Sequence, residues 1–142
     1  RMLQLANNQL KALPAEICQL SNLTKLSLDS NEIEELPEDF GGLVSLQRLW
    51  LDDNHLRAFP DSMGELTSLI ELHVDNNRLY ELCDTFSRLT NLLELFMHKN
   101  FFGHAKVGEL GQVIGTAMGV PEGVCGLVGL RVLSLAGNDL DS

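Results

Sequence analysis

The chain has 142 residues, of which 20 are acidic and 10 are basic, and its formal net charge at pH 7 is −10. This charge argues against binding to nucleic acid, whose phosphates select for lysine and arginine, and against an anionic membrane surface, and it favours a protein partner with a basic surface. No apolar run is long enough to cross a bilayer, so the sequence predicts no insertion into a membrane.

A 23-residue pattern repeats along the chain. Its clearest copy begins at Leu46 and reads L-x-x-L-x-L-x-x-N-x-L-x-x-F-P up to Pro60. The asparagine of this pattern returns once in each copy, at Asn8, Asn31, Asn54, Asn77 and Asn100. Self-similarity at a fixed period is the sequence signature of a repeat array.

Each part of the pattern has a physical reason. Leu-x-x-Leu-x-Leu ends in strict alternation, which predicts a short strand with one buried face. Such a strand cannot close a core by itself, but stacked copies form a parallel sheet in which equivalent leucines pack together. The asparagine amide can satisfy the backbone of the neighbouring turn, and proline then fixes φ where the chain returns.

With this consensus the sequence resembles the leucine-rich repeat family, in particular the 23-residue intracellular type of Ras-suppressor-like proteins, plant Ras-group-related proteins and Scribble/Erbin scaffolds. The resemblance covers nearly the whole chain. It implies an α/β solenoid, with a concave parallel sheet and short helices or 3₁₀ turns on the convex side. It also implies a role in intracellular signalling or polarity scaffolding, near small GTPases or phosphatases.

The first four copies follow one another without interruption. They cover about residues 1–22, 23–45, 46–68 and 69–91. The second copy carries an acidic run from Glu32 to Asp39, which we interpret as a solvated outer face. In the fourth copy Cys83 stands at the proline position, and we expect this only to loosen the turn slightly.

The fifth copy begins at Leu92 and is interrupted after Phe102. Removing a 15-residue stretch, about 105–119, restores every position of the pattern, and it brings Asn138 one period after Asn100. We therefore predict a glycine-rich insertion at about 105–119, after which the array continues.

Within this insertion four apolar residues have helical spacing, namely Val107, Leu110, Ile114 and Ala117. Three interspersed glycines, Gly108, Gly111 and Gly115, each disfavour a helix by about 1 kcal/mol. We expect a disordered or weakly helical surface loop. A gene-model or splice artefact and a partner-binding loop remain the alternatives.

The whole chain, 1–142, is predicted to be one leucine-rich repeat domain of about five copies and the start of a sixth. Neither end has a recognisable polar cap, which repeat arrays need for solubility, so we interpret it as a segment of a longer array. Its three cysteines lie well apart, at Cys18, Cys83 and Cys125, without the terminal clusters that cap secreted arrays. Reduced thiols and a cytoplasmic location are expected.

The residues between the strand leucines are expected to form rows across the concave face, about 4.8 Å from copy to copy. The central row is Gln4, Ser27, Trp50, His73, Phe96 and Ser134. Exposed aromatic groups mark binding surfaces, and tryptophan is a typical hot-spot residue, so we predict Trp50, His73 and Phe96 as partner anchors. The alternative is that these rings only stack on each other to cover the sheet.

Two further rows flank the central one. One contains Ala6, Asp29, Asp52, Asp75, His98 and Ala136, with Asp53 beside it, and the other contains Met2, Lys25, Arg48, Glu71, Glu94 and Val132. Neighbouring carboxylates about 5 Å apart repel by roughly 3 kcal/mol at an effective dielectric constant near 20, and a basic partner would relieve this. We therefore predict that the aspartates, His98 and Arg48 contact the partner; the alternative is that the aspartates only confer solubility.

Catalysis has little support in the sequence. No serine or cysteine is expected beside His73 or His98 as a nucleophile, and no cofactor motif is present. The acidic row is open to solvent and too loosely arranged to impose a coordination geometry. The sequence thus predicts no enzyme, no cofactor and no metal site.

The predicted function is a platform that binds a protein partner on its concave face. A recognition segment of a larger enzyme, such as a kinase, a Roco-type GTPase or a ubiquitin ligase, is the alternative from another class. A third interpretation is a structural spacer, for which concave substitutions would not change binding.

Overall fold

A short strand forms at the same place in every copy of the pattern. The computed structural model of the chain describes residues 1–103, 105–107, 113–116 and 120–138. Its strands are β1 (Met2–Gln4), β2 (Lys25–Ser27), β3 (Arg48–Trp50), β4 (Glu71–His73), β5 (Glu94–Phe96), β6 (Ala105–Val107), β7 (Val113–Thr116) and β8 (Val132–Ser134).

Six of these strands form one parallel sheet in the order β1-β2-β3-β4-β5-β8. The register is the one that the repeat predicts, because Leu49 lies opposite Leu26 on one side and Leu72 on the other. On β8, Leu133 lies opposite Leu95 of β5, so the array continues in phase after the insertion. The predicted rows are therefore adjacent in space.

The chain returns from strand to strand through 3₁₀ helices. These are η1 (Ala15–Gln19), η2 (Phe40–Gly42), η3 (Asp61–Glu65), η4 (Asp84–Arg88) and η5 (Glu122–Gly126). Cys83, which precedes η4, has φ −65° and ψ 151°, close to the φ −66° and ψ 155° of Pro60 before η3. The thiol residue thus adopts the backbone conformation of the missing proline, and these angles show no loosening of the turn.

One continuous core lies between the sheet and the 3₁₀ helices. The strand leucines Leu26, Leu49, Leu72 and Leu95 are completely buried, as are Phe40, Met63 and Phe86 of the return segments. Together with the parallel sheet, this core confirms the predicted α/β solenoid. No helix in the described part of the chain is long and apolar enough to cross a membrane.

Four asparagines of the pattern, Asn31, Asn54, Asn77 and Asn100, are buried, and their amides bond the backbone of the neighbouring turn, as predicted. The Nδ2 group of Asn54 donates to the carbonyls of Leu28 and Leu51, both at 3.0 Å, and to that of Asp52 at 3.2 Å. Its Oδ1 accepts the N–H of Ile33 at 3.0 Å. The side chain therefore bonds both its own turn and the preceding one.

The expectation of a disordered or weakly helical insertion is wrong for the residues that the structure describes. β6 and β7 pair in antiparallel fashion as a separate two-stranded sheet, with an irregularity between Lys106 and Val107. Glycine weakens a helix, but it is compatible with a short irregular strand pair. Residues 108–112 and 117–119, and with them Leu110 and Ala117 of the proposed helical face, lie outside the described residues.

A glycine on the convex side allows successive 3₁₀ helices to pack closely. A Cβ atom at Gly64 would overlap the backbone carbonyl oxygen of Thr85 and lie 2.5 Å from the Thr85 Cβ. We expect Gly64→Ala to lower the free energy of unfolding by about 1–3 kcal/mol, because overpacking against a backbone atom is not relieved by side-chain rotation. Urea denaturation followed by circular dichroism would measure this.

The matched control is Gly123→Ala in η5, where the nearest atom would be the Leu82 Cβ at 3.2 Å. This milder contact with a side chain should reduce stability by less than half as much. Equal losses for the two variants would contradict the role given to close packing at Gly64.

Candidate interaction site on the concave sheet face

The three predicted anchors form one row of rings on the face of the sheet that is opposite the core, the face predicted to be concave. His73 stacks on Phe96 with 4.4 Å between ring centroids and an interplanar angle of 21°, and it lies 6.3 Å from Trp50 at 36°. All three side chains are partly exposed. The stacking is consistent with the alternative that the rings only cover the sheet. Their remaining exposure, however, leaves them accessible to a partner.

His73 also has polar contacts on both sides. Its Nε2 lies 2.9 Å from Oε1 of Glu71, and its Nδ1 lies 3.8 Å from Oδ2 of Asp52. The other carboxylate oxygen of Glu71 pairs with Nε of Arg48 at 3.1 Å. The central and flanking rows are thus joined into one polar and aromatic surface in which Arg48 is already paired with an acid of this chain.

The aspartate row is a ladder of hydrogen bonds from side chain to backbone. Oδ1 of Asp29 accepts the N–H of Asp52 at 3.1 Å, and Oδ1 of Asp52 accepts the N–H of Asp75 at 2.7 Å. Oδ1 of Asp75 in turn accepts the N–H of His98 at 2.6 Å. Each carboxylate therefore ties one turn to the next, which is a structural role that the repulsion argument does not include.

Burial is the main influence on the pKa values of two carboxylates of this row, those of Asp52 and Asp29. Desolvation raises the pKa of Asp52 to about 6, the hydrogen bond from the Asp75 N–H opposes this rise, and the negative charges of Asp75 and Asp29 add to it. Desolvation likewise raises the pKa of Asp29. The predicted repulsion therefore contributes to the pKa of Asp52, but it is smaller than the desolvation that the sequence could not indicate.

Asp53 lies beside this row in a different backbone state. It is exposed and has φ 55°, a left-handed conformation that aspartate and asparagine tolerate better than most residues. The equivalent residues of the other turns share the positive φ, namely Asn7, Ser30, Asn76, Lys99 and Gly137. The geometry of the turn thus favours an aspartate here independently of any partner.

The structure corrects one expectation about His98. Its Nε2 contacts the hydroxyl of Ser134, so a serine does lie beside one of the two histidines. The Asp75 carboxylate, however, binds the backbone N–H of His98 and not its ring. The N–H groups of Met97 and Lys99 are engaged with the carbonyls of Ser134 and Ala136, which leaves neither available to stabilise an oxyanion.

The described residues contain no group of three or more histidine, cysteine, aspartate or glutamate side chains arranged to hold a metal ion. Their three cysteines, Cys18, Cys83 and Cys125, form no disulfide. What the described part of this face offers is a row of aromatic rings beside carboxylates. Such a surface can contact apolar and cationic side chains of another molecule.

Sequence reasoning missed two features of this surface. One is Glu71, which contacts both His73 and Arg48, and whose position opposite Arg48 followed from the repeat register. The other is the use of the aspartates as acceptors for backbone N–H groups. Aspartate recurs at the same position of three successive copies, and this recurrence was a signal for a structural role of the carboxylates.

The comparisons with known proteins agree on the repeat. The family model described as a leucine-rich repeat region matches residues 1–109. Among solved structures, the chain is similar to a leucine-rich repeat protein of Leptospira interrogans, with 34% identity, a TM-score of 0.75, and coverage of 95% of this chain and 36% of that chain. No curated protein matches the sequence.

Two other similar structures hold complexes. One is the Toll–Spatzle complex of Drosophila, with 27% identity, a TM-score of 0.78, and coverage of 94% of this chain and 18% of that chain. The other is the ectodomain of the receptor kinase GASSHO1/SCHENGEN3 of Arabidopsis thaliana in complex with CASPARIAN STRIP INTEGRITY FACTOR 2, with 26% identity, a TM-score of 0.76, and coverage of 97% and 15%. The chain spans about a third of the bacterial protein and less than a fifth of these two.

Proposed function

The chain belongs to the leucine-rich repeat family, and we propose that it is a platform for protein–protein interaction that binds a basic partner on the concave face. Proteins of this family bind protein partners, and the repeat is generally a non-catalytic module. The observation that carries the proposal is the row formed by Trp50, His73 and Phe96, which is partly exposed and adjoins the carboxylates of Asp52 and Glu71.

The energetic argument follows from the side chains. A tryptophan that becomes fully buried at an interface contributes a large apolar area and is a common hot spot. The neighbouring carboxylates would attract lysine and arginine side chains, which also bind favourably to aromatic rings. A net charge of −10 extends this preference to the whole chain through long-range steering.

The setting proposed for this activity is intracellular signalling or scaffolding in the cytoplasm. Support for it comes from the 23-residue period and from the three unpaired thiols, which reducing compartments maintain. Signalling proteins of the 23-residue intracellular type are therefore the relatives that we propose for this chain.

A second proposal is that the chain is the recognition segment of a larger enzyme. It is supported by the small share of each compared chain that this one covers, and by the fact that one of those proteins is a receptor kinase. The concave surface would then select the substrate or the regulator of a catalytic domain elsewhere in the polypeptide.

Replacing Trp50 with alanine should weaken partner binding at least tenfold without unfolding the array. The expected loss follows from the cost of truncating an interface hot spot, which is typically about 2 kcal/mol or more. The measurement is a pull-down from cell lysate with wild type and Trp50→Ala, followed by an affinity measurement on any protein that the variant loses.

The matched control is Gln4→Ala, because Gln4 belongs to the same row but lies on β1, two strands away from Trp50. Circular dichroism should give the same melting temperature for Trp50→Ala and Gln4→Ala within a few degrees. Identical capture by wild type and both variants would overturn the proposed site and favour the structural spacer.

A further inference from the structure

The imidazole of His73 lies between two carboxylates at the centre of the ring row. Glu71 Oε1 is 2.9 Å from Nε2, and Asp52 Oδ2 is 3.8 Å from Nδ1, the first a hydrogen-bond distance and the second an ion-pair distance. A neutral imidazole has one N–H and one lone pair. In that state one ring nitrogen must present a lone pair to a carboxylate, whereas the protonated ring presents an N–H to each.

Other charges surround this cluster on every neighbouring strand. The cationic groups are Arg48 on β3, which pairs with Glu71, and Lys25, which lies opposite Arg48 on β2. The anionic groups are Asp29 after β2, Asp75 after β4, which accepts the His98 N–H, and Glu94 opposite Glu71 on β5. The acids that interact with Asp52, namely Asp29 and Asp75, favour an additional proton. Arg48 opposes protonation, but its guanidinium is on the far oxygen of Glu71.

We propose that Asp52, His73 and Glu71 form a proton-binding cluster on the concave face, and that uptake of one proton there in mildly acidic solution weakens the binding of a basic partner. The weakening rests on the proposed function, while the proton binding does not. A proton bound by one of these contacting groups changes the charge that the other two experience.

Two properties of the cluster place the transition in mildly acidic solution. Imidazole is the side chain whose charge ordinarily changes between pH 5 and 8. Desolvation also raises the pKa of Asp52 to about 6. A proton that enters on either group makes the cluster one unit more positive and reduces its attraction for lysine and arginine side chains.

The chain carries its own reporter for this event. Trp50 is the only tryptophan, and its ring centroid is 6.3 Å from that of His73. A protonated imidazole quenches indole fluorescence more strongly than a neutral one. Emission should therefore fall along a single transition between about pH 7.5 and pH 5 while circular dichroism remains constant.

The first experiment is this fluorescence titration on wild type, His73→Gln and Asp52→Asn. We expect the transition to disappear in His73→Gln. In Asp52→Asn its midpoint should move to lower pH, because one anion beside the ring is lost. A wild type without a transition, or a transition retained in His73→Gln, would overturn the cluster.

The second experiment measures binding of an octaarginine peptide by the wild type at pH 7.5 and pH 5.5. We expect affinity to fall by about threefold to tenfold at the lower pH, as expected for one added charge about 5 Å away in a solvated site. In the double variant His73→Gln/Asp52→Asn, which lacks both proton acceptors, it should fall by less than twofold. Equal pH dependence in both proteins would contradict the control of binding. A normal fluorescence titration without peptide binding at pH 7.5 would instead contradict the proposed basic partner and leave the proton site standing.

Discussion

Leu49→Ala should lower the free energy of unfolding by about 2–5 kcal/mol, the range found when a buried leucine is truncated to alanine. Leu49 is completely buried and lies in the middle of the sheet, opposite Leu26 on one strand and Leu72 on the other. Its removal opens a cavity that both neighbouring turns line, and these turns cannot close it without shifting their own leucines. Urea denaturation would measure the change in the midpoint at a constant slope.

A second leucine at the same position of the pattern provides the control. Leu133 on β8 is paired with Leu95 but is 38% exposed, so Leu133→Ala should reduce stability by less than about 1 kcal/mol. The two variants remove the same atoms from the same phase of the repeat. If Leu49→Ala lowered the free energy of unfolding no more than Leu133→Ala, the stacked core could not be the source of stability.

The fold could be predicted in detail because, in a solenoid, the position of a residue within the repeat largely determines its tertiary contacts. Each turn contacts only its neighbours, so a residue's place in the repeat determines both its burial and its partners in the adjacent strands. This is why Ser134 could be assigned to the row of Phe96 although the whole insertion lies between them in the chain, and the register of β5 and β8 confirms it. The period itself needs no knowledge of the rest of the molecule.

The insertion could not be predicted in the same way, because its residues have no equivalents in the other copies of the repeat. Its glycines disfavour a helix, but a short apolar run can also form a pair of strands. Periodicity alone does not distinguish these two states over a few residues. The pairing of β6 with β7 therefore depends on contacts for which the sequence gives no spacing rule.

For the candidate site, too, the sequence predicted which residues are adjacent but not how their side chains interact. The rows placed Trp50, His73 and Phe96 together, but the sequence did not indicate that His73 stacks on Phe96 or contacts Glu71. It also treated Asp52 as a fully charged group in water, whereas desolvation is the largest influence on its pKa. Side-chain orientation and burial are properties of the assembled surface, and a one-dimensional repeat does not contain them.

Asn54→Ala should lower the free energy of unfolding by about 2–4 kcal/mol. One unsatisfied buried donor costs about 1–3 kcal/mol and each further lost hydrogen bond about 0.5–1.5 kcal/mol, and the sum is less than additive because the turn relaxes. The variant leaves the N–H of Ile33 without the amide oxygen that now accepts it. It also removes one of two donors from the carbonyls of Leu28 and Leu51, which keep their bonds from Asn31 Nδ2 and Asn77 Nδ2. The side chains of these three residues are completely buried, so water cannot readily replace the lost bonds. Urea denaturation followed by circular dichroism would measure the loss.

The repeat offers a control that separates this mechanism from a general sensitivity of asparagine positions. Asn8 has the same phase, and its Nδ2 donates to the carbonyls of Leu5 and Ala6, but the residue is exposed. Asn8→Ala should therefore change stability by less than about 1 kcal/mol, since solvent can hydrate the groups it leaves.

Asn54→Asp tests which half of the amide matters. It retains an acceptor for the Ile33 N–H but places carboxylate oxygens against three carbonyls that now accept from Nδ2. Loss of the donors, together with the burial of a charge, should make this variant at least as unstable as Asn54→Ala at pH 7.5. Protonation of the new carboxyl restores a single donor, so its stability should rise relative to wild type as the pH falls from 7.5 to 5. If Asn54→Asp were as stable as wild type at pH 7.5, the bonds that the amide donates to its own and the preceding turn could not be what stabilises the array.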